Sequence, residues 1–169
     1  MTVLATTIDS PVGPLRVAAD ASGLVALVFP RNRHPARGAD AWREGDSTLL
    51  RDARRQLAEY FAGRRRTFDL PLSPRGTEFQ RRVWMALATI PYGETLSYAQ
   101  LAAKLGSPSA SRAVGAANGR NPLPIVLPCH RVIGADGSLT GFGGGLPTKQ
   151  FLLKLEGALP RDFDLFGEP

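Results

Sequence analysis

The chain has 169 residues, enough for one substantial hydrophobic core or two small ones. Hydrophobic residues make up 43% and charged residues 21%, as in ordinary globular proteins, and no apolar run is long enough to span a bilayer. The formal net charge of +6 is compatible with a polyanionic partner such as nucleic acid, but this is weak evidence in an arginine-rich chain.

The sequence contains one cysteine, Cys129. A single cysteine excludes an internal disulfide and a cysteine-rich zinc site. A free thiol is typical of a reducing compartment, and no secretory signal follows Met1, so we expect a cytoplasmic protein. The residues give no reason to expect a metal or a cofactor.

The N-terminal part predicts a small antiparallel meander followed by one helix. An arginine-, proline- and glycine-rich loop is expected at residues 30–47, with His34 exposed in it. A one-sided apolar pattern predicts a helix from Thr48 to Ala62, and Gly63 suits its C-terminal cap. The three predicted strands cover residues 3–8, 15–19 and 24–29.

The C-terminal part predicts four helices after a turn at residues 73–76. Thr77 and Ser97 are suitable N-caps for the first two helices. The second and third helices are short and joined by a turn that contains Gly106, which is the outline of a helix-turn-helix. The predicted helices cover residues 77–90, 98–105, 109–118 and 148–157.

The third of these helices is composed almost entirely of small residues, with Arg112 as the one long side chain in its middle. A helix that reads the major groove usually carries several polar side chains for base edges. A slim helix suits a minor groove widened by bending, where a single arginine could enter the base stack. Tight packing in a core explains small residues equally well, and the helix alone does not separate these interpretations.

The stretch Ile125–Gly134 combines an apolar run with the cysteine. The run predicts a buried strand that Pro128 ends, because proline has no backbone donor. Cys129 follows with His130 and Arg131, and such a basic setting lowers the pKa of a thiol. A lone cysteine is often buried and inert. The order Pro-Cys-His-Arg, with a base beside the sulfur, favours a reactive cysteine.

Turn-rich segments flank this stretch. Asn121, before Pro122, is placed to tie a turn with its amide. A hairpin turn is expected at residues 135–138, and a glycine-rich loop at 139–146 can bring backbone N–H groups close to a ligand. The loop lacks the lysine and hydroxyl residue of a phosphate-binding loop, which argues against a nucleoside triphosphate.

The Pro-Cys-His-Arg motif, the small-residue helix and the glycine-rich loop together resemble the O6-alkylguanine-DNA alkyltransferases, also called methylated-DNA–protein-cysteine methyltransferases. The resemblance is strong from Thr77 to Glu156 and rests only on length and pattern before that. It implies a ribonuclease H-like α/β domain (a small antiparallel sheet with a helix) at residues 1–72. A mostly α catalytic domain with a winged helix-turn-helix-like motif is implied at residues 73–160, followed by a tail at 161–169.

The family activity implied is direct reversal of DNA damage. The Cys129 thiolate would attack the alkyl carbon on O6 of guanine, or on O4 of thymine, and keep the alkyl group, so that each molecule acts once. The partner would be double-stranded DNA bound through its minor groove, with the target base flipped out. No membrane partner is implied, and we expect a cytoplasmic monomer that joins the nucleoid when it acts.

The resemblance also assigns roles to individual residues. His130 would act as base through a water, Glu156 would orient it, and Tyr98 would donate a proton toward N3 of the base. Arg112 would fill the gap left by the flipped nucleotide, and Asn121 would be the hinge before the reactive segment. Further DNA contacts are expected from Ala110, Ser111, Ala113, Gly115 and Tyr98, and the base pocket from Pro124, Val132, Phe142, Gly143 and Gly144.

The sequence departs from the family at two pocket positions. Tyrosine is frequent where this chain has Phe142, and serine or alanine where it has Gly143, so a more open pocket that admits larger alkyl groups is a hypothesis. Some relatives bind zinc in the N-terminal domain, but this one has no cysteine there. The two alternative functions are a non-enzymatic lesion binder and a Cys–His hydrolase. Cys129 argues against the first, and the lack of an oxyanion-hole motif argues against the second.

Overall fold

The structure is a computed structural model that describes residues 2–31, 36–160 and 162. A four-stranded sheet with one helix is followed by a mostly helical region that contains a two-stranded sheet. The strands are β1 (Leu4–Ile8), β2 (Leu15–Ala19), β3 (Leu24–Val28), β4 (Arg43–Glu44), β5 (Leu96–Ser97) and β6 (Val132–Ile133). The helices are α1 (Thr48–Phe61), α2 (Glu78–Leu87), α3 (Tyr98–Lys104), α4 (Ser111–Gly119) and α5 (Leu146–Leu155).

The N-terminal sheet has the order β3-β2-β1-β4. The predicted antiparallel meander of β1, β2 and β3 is confirmed. The loop predicted at residues 30–47 is wrong in part, because β4 lies within it and pairs in parallel with β1. This strand has two exposed residues and therefore no apolar alternation that could reveal it. The expectation that His34 is exposed lies outside the described residues.

Helix α1 covers the inner face of this sheet. Its start is fixed by Ser47, whose hydroxyl accepts a hydrogen bond from the Leu50 N–H at 3.1 Å. Leu50, Leu57 and Tyr60 are fully buried on the predicted apolar face. Burial of each such side chain contributes roughly 1.5–3 kcal/mol, so tertiary packing stabilises this helix more than its intrinsic propensity does.

Helices α2 and α3 begin at the two predicted caps. Both Thr77 and Ser97 form capping boxes with the glutamine three residues on. A turn through Gly106, at φ +76°, and a 3₁₀ turn at Pro108–Ala110 join α3 to α4. Because of that 3₁₀ turn, α4 begins two residues later than expected. The two helices pack on each other, as a helix-turn-helix requires.

Within Ile125–Gly134, the strand predicted for the apolar run that Pro128 ends is wrong. Only β6 is extended, and it pairs with β5 in parallel rather than through a hairpin. Cys129–Arg131 form a 3₁₀ turn, and Ile125 has a positive φ of 75°. Prolines at positions 122, 124 and 128 remove the backbone donors that a strand needs, so the apolar run is buried as a chain of turns.

Further boundaries differ from expectation, and the first is the end of α2, which stops at Leu87 and not at residue 90. The turn at residues 135–138 forms, with the Gly134 N–H donating to the Ser138 carbonyl at 2.8 Å, but no returning strand follows it. Helix α5 starts at Leu146, two residues early, because Pro147 fits the first turn of a helix. The predicted tail lies outside the described residues except for Asp162.

One continuous hydrophobic cluster joins the two parts of the chain. The rings of Phe29, after β3, and Phe142 lie 5.5 Å apart between centroids. The Leu27 N–H donates to the Pro122 carbonyl at 2.8 Å. The N-terminal sheet therefore packs against the segment that leads to the cysteine. Within the described residues, no helix has the length and apolar character to cross a membrane.

Candidate active site

The turn before Cys129 is tied by Asn121, as expected. Its amide Nδ2 donates to the Leu127 carbonyl at 2.7 Å, and its Oδ1 accepts from the Leu123 N–H at 2.9 Å. The Leu127 N–H donates to the Leu123 carbonyl at 2.8 Å, which closes the turn. These bonds hold the strained Ile125 in place, and such strain persists only where the surrounding structure fixes it.

Cys129 lines a cavity of about 380 Å³ between the N-terminal sheet and the C-terminal region. The residue is only 5% exposed, so its sulfur is reached through this cavity. Five of the residues predicted for the site share the cavity with it, namely Asn121, Pro124, Phe142, Gly143 and Gly144. Val132 was also predicted for the base pocket. It lies on β6, is fully buried in the core, and does not line the cavity that the described residues form.

The electrostatic setting of the thiol differs from the sequence prediction. Burial raises the pKa of the Cys129 thiol to about 11, although the Asn121 amide and the Lys149 ammonium both act to lower it. The expectation that neighbouring basic residues lower this pKa is wrong. The Arg131 guanidinium points away into an ion pair with Glu156, and its charge is neutralised there.

His130, Arg131 and Glu156 form a buried network. His130 Nε2 lies 2.7 Å from Glu156 Oε2. Arg131 donates from Nε to Oε1 at 2.8 Å and from Nη2 to Oε2 at 3.0 Å. Burial alone would raise the pKa of Glu156, but the hydrogen bonds and charges of His130 and Arg131 outweigh it and hold the pKa at about 2. Glu156 is therefore a carboxylate at neutral pH.

This network fixes the protonation of the histidine. An ionised carboxylate only accepts, so the hydrogen of the imidazole is assigned to Nε2. Burial lowers the pKa of His130, against the opposing effect of Glu156, and keeps the ring neutral. Nδ1 is then an acceptor, and it has no hydrogen-bond partner among the described residues. The histidine next to the cysteine thus carries a free basic nitrogen.

Two residues of this region were missed from the sequence. Tyr60, on α1, donates its hydroxyl to Glu156 Oε2 at 2.6 Å. Lys149 is fully buried and donates to the carbonyls of Val132 at 2.6 Å and Thr140 at 2.7 Å. A lysine on the buried side of a helix that also carries Leu152 was a usable signal. Tyr60 gave none, because its position on an apolar face predicts core packing.

The glycine-rich loop packs closely against the N-terminal sheet. A Cβ at Gly144 would lie 2.6 Å from Phe29 Cδ2, a distance at which the ring must shift. Lys149 holds the other side of the loop through Thr140. Only glycine allows this close approach of backbone and ring, which explains part of the glycine run.

Tyr98 and the predicted DNA contacts at positions 110–113 and 115 lie outside this cavity lining, whereas Asn118 and Gly119 at the end of α4 are part of it. The Tyr98 hydroxyl is 3.0 Å from Thr140 Oγ1. Arg112 and Ala113 are exposed, while Ala110, Ser111 and Gly115 are half-buried. Trp84 holds the far end of α4 through a hydrogen bond from Nε1 to the Ala117 carbonyl at 2.8 Å. The helix therefore presents a surface with small side chains and one arginine.

Comparison with known proteins follows the same division of the chain. A family model described as 6-O-methylguanine DNA methyltransferase, ribonuclease-like domain, matches residues 3–74. A second, described as 6-O-methylguanine DNA methyltransferase, DNA binding domain, matches residues 78–158. These matches define a two-domain DNA methyltransferase class, and the fold class predicted from the sequence is confirmed.

Relatives narrow the identification. A methylated-DNA–protein-cysteine methyltransferase from Methanosarcina acetivorans is 52% identical over 150 residues, which cover 89% of this chain and 96% of the relative. One from Mycobacterium bovis is 51% identical over 162 residues, 95% of this chain and 96% of the relative. The crystal structure of Mycobacterium tuberculosis OGT in complex with DNA matches with a TM-score of 0.83 and 49% identity, covering 94% of each chain. The chain belongs to the methylated-DNA–protein-cysteine methyltransferases.

Proposed function

We propose that this protein removes alkyl groups from O6 of guanine, and from O4 of thymine, in duplex DNA and keeps each group on Cys129. The observation that carries this proposal is a lone cysteine that lines a cavity, followed by a neutral histidine with a free Nδ1. Attack at a saturated carbon needs a soft nucleophile, which a thiolate supplies. The thioether product has no good leaving group, so each molecule acts once.

The thiol needs a base, because a group with a pKa of about 11 is protonated at neutral pH. We assign this step to His130, which takes the Cys129 proton at Nδ1 through one water while Glu156 holds Nε2–H. The Sγ–carbon bond then forms as the carbon–O6 bond breaks, and the electron pair passes into guanine. Tyr98 donates a proton to N3, so guanine leaves neutral. His130 then releases the Cys129 proton to solvent, and Tyr98 regains a proton from solvent.

The DNA partner is proposed to bind through its minor groove on α4. The support is the exposed Arg112 on a helix of otherwise small residues, with Ala110, Ser111, Ala113 and Gly115 around it. Arg112 would occupy the base stack when the target nucleotide flips, at a cost of a few kcal/mol in lost stacking and pairing. Asn121 would keep α4 and the reactive turn in fixed relation. We propose a monomer that works in the cytoplasm at the nucleoid, with domains at residues 1–72 and 73–160.

The pocket is proposed to take groups larger than methyl. Gly143 lines the cavity beside Cys129 without a side chain, and Phe142 supplies a ring without a hydroxyl. We expect O6-benzylguanine to alkylate the wild-type protein faster than a Gly143→Ser variant. Equal rates would contradict the larger pocket and leave methyl transfer unaffected.

The decisive experiment uses a duplex oligonucleotide with one O6-methylguanine and intact-protein mass spectrometry. We expect a stoichiometric gain of one methyl group on Cys129. Cys129→Ala should bind the duplex without gaining mass. If the wild-type protein binds the duplex without any mass gain, it is a lesion binder and the transferase proposal fails.

A further inference from the structure

A hydroxyl of the N-terminal region contacts the buried network of His130, Arg131 and Glu156. Tyr60, on α1, donates to Glu156 Oε2 at 2.6 Å, and both side chains are fully buried. His130 Nε2 faces the same oxygen at 2.7 Å. Arg131 Nη2 also donates to this oxygen at 3.0 Å, so three donors share Oε2, and of these only Tyr60 comes from the N-terminal region.

We propose that Tyr60 is a positioning residue. Its hydroxyl holds Glu156 in place and weakens the attraction between the carboxylate charge and a proton on His130. A donor on a carboxylate oxygen disperses its negative charge, and a less negative carboxylate stabilises an imidazolium less. Tyr60 then controls how strongly His130 binds a proton. Only the link from His130 to Cys129 rests on the proposed function.

The other groups that face Glu156 do not replace this hydroxyl. Arg131 is fixed by its two bonds to the carboxylate and a third, from Nη1, to the Ile90 carbonyl at 2.7 Å. Tyr92 lies near, but its hydroxyl donates to the Leu155 carbonyl at 3.3 Å, and its ring is covered by the Arg131 and Arg66 guanidinium groups. Lys149, which is also buried, binds the Val132 and Thr140 carbonyls instead.

Tyr60 itself does not take part in proton transfer. Burial and the adjacent Glu156 charge raise the pKa of its phenol far above the working range. The hydroxyl is therefore a permanent donor. Its ring packs against Phe61 and Phe68, with centroids 5.3 and 5.5 Å away. Tyr60→Phe removes the donor and keeps this packing.

Tyr60→Phe is compared with Tyr92→Phe, which removes a nearby hydroxyl that does not bind Glu156. The titration of His130 is followed by nitrogen NMR of the imidazole. The chain has two histidines, and a His34→Asn background leaves His130 alone. We expect the His130 midpoint to move to higher pH in Tyr60→Phe and to stay at the wild-type value in Tyr92→Phe.

A second signal at neutral pH covers the case in which acid unfolds a variant before His130 titrates. The Nε2–H proton of His130 should move downfield in Tyr60→Phe, because Oε2 then has one donor fewer and binds the imidazole more tightly. If neither the midpoint nor this resonance moves in a folded Tyr60→Phe protein, the inference is overturned.

The kinetic readout is single-turnover methyl transfer against pH. We expect the acid limb of the Tyr60→Phe profile to move up in pH, with a several-fold lower rate below the midpoint and no loss above it. A uniform loss at every pH would indicate a merely structural role and would refute the positioning role. If wild type transfers no methyl group, the proposed function fails, while the NMR result still decides the inference about Tyr60.

Discussion

The pH dependence of Cys129 alkylation by a small reagent such as iodoacetamide measures the pKa of its thiol. With a pKa of about 11, a fraction of about one in 10,000 is thiolate at pH 7, against about one in 100 for a thiol with the ordinary value of 9.0. At equal access of the reagent, the thiol of the folded protein should therefore react about 100-fold more slowly than the thiol of the unfolded chain. The cause is desolvation of the charged form in the buried cavity.

The assay needs no labelling strategy, since the chain has a single cysteine. Rates of mass gain are measured between pH 6 and about 11 for the folded protein and for the same chain unfolded in urea. Limited access to the cavity scales every folded rate alike, so the shape of the pH profile decides. The folded rate should still be rising at about pH 11, where the unfolded rate has levelled off. A folded-state plateau below about pH 9 would refute the reasoning, because it would mean that the thiolate already exists near neutral pH.

Three further outcomes follow from the same contacts. Glu156→Gln should lower the free energy of unfolding at pH 7 by about 3–5 kcal/mol in urea titrations, because Arg131 stays buried without its carboxylate. The pKa of Glu156 falls from 4.5 to about 2 on folding. The stabilisation by this carboxylate is therefore present above about pH 4.5 and is lost as the pH falls toward 2. Gly144→Ala should cost about 1–3 kcal/mol in thermal or urea unfolding, because its Cβ meets the Phe29 ring, and an unchanged midpoint would contradict that contact. Arg112→Ala should slow methyl transfer from duplex DNA more than from the free base, and equal slowing would remove Arg112 from nucleotide flipping.

The sequence predicted the elements whose signals are local. The caps at Thr77 and Ser97, the apolar face of α1 and the β1–β3 meander depend on periodicity and on side-chain bonds to nearby backbone, and all are present in the structure. The strand prediction for the segment before Cys129 was wrong for a physical reason. An apolar run reports burial but not backbone conformation, and three prolines with a positive φ at Ile125 decided the conformation.

The electrostatics of the site could not be read from neighbours in sequence. Arg131 is two residues from Cys129, yet its guanidinium forms an ion pair with Glu156, which is 25 residues further along the chain. Lys149 is the cation that acts on the thiol, from the buried side of α5. Tyr60 lies 96 residues from the carboxylate that it binds. Apart from the position of Lys149 on the buried side of its helix, these long-range contacts leave no pattern in one sequence.

Cys129 has a high pKa, and His130 beside it is neutral. Together these two properties protect a cysteine that acts once from reacting with the wrong electrophile. Moving a proton from Cys129 to His130 is unfavourable in the free protein, because burial raises the pKa of the thiol and lowers that of the imidazole. Small electrophiles therefore meet an unreactive thiol. Under the proposed mechanism the transfer becomes favourable only when a bound base places its alkyl carbon at the sulfur, so that negative charge passes into guanine as it forms. Selectivity for the lesion then comes from the same burial that makes the resting cysteine inert.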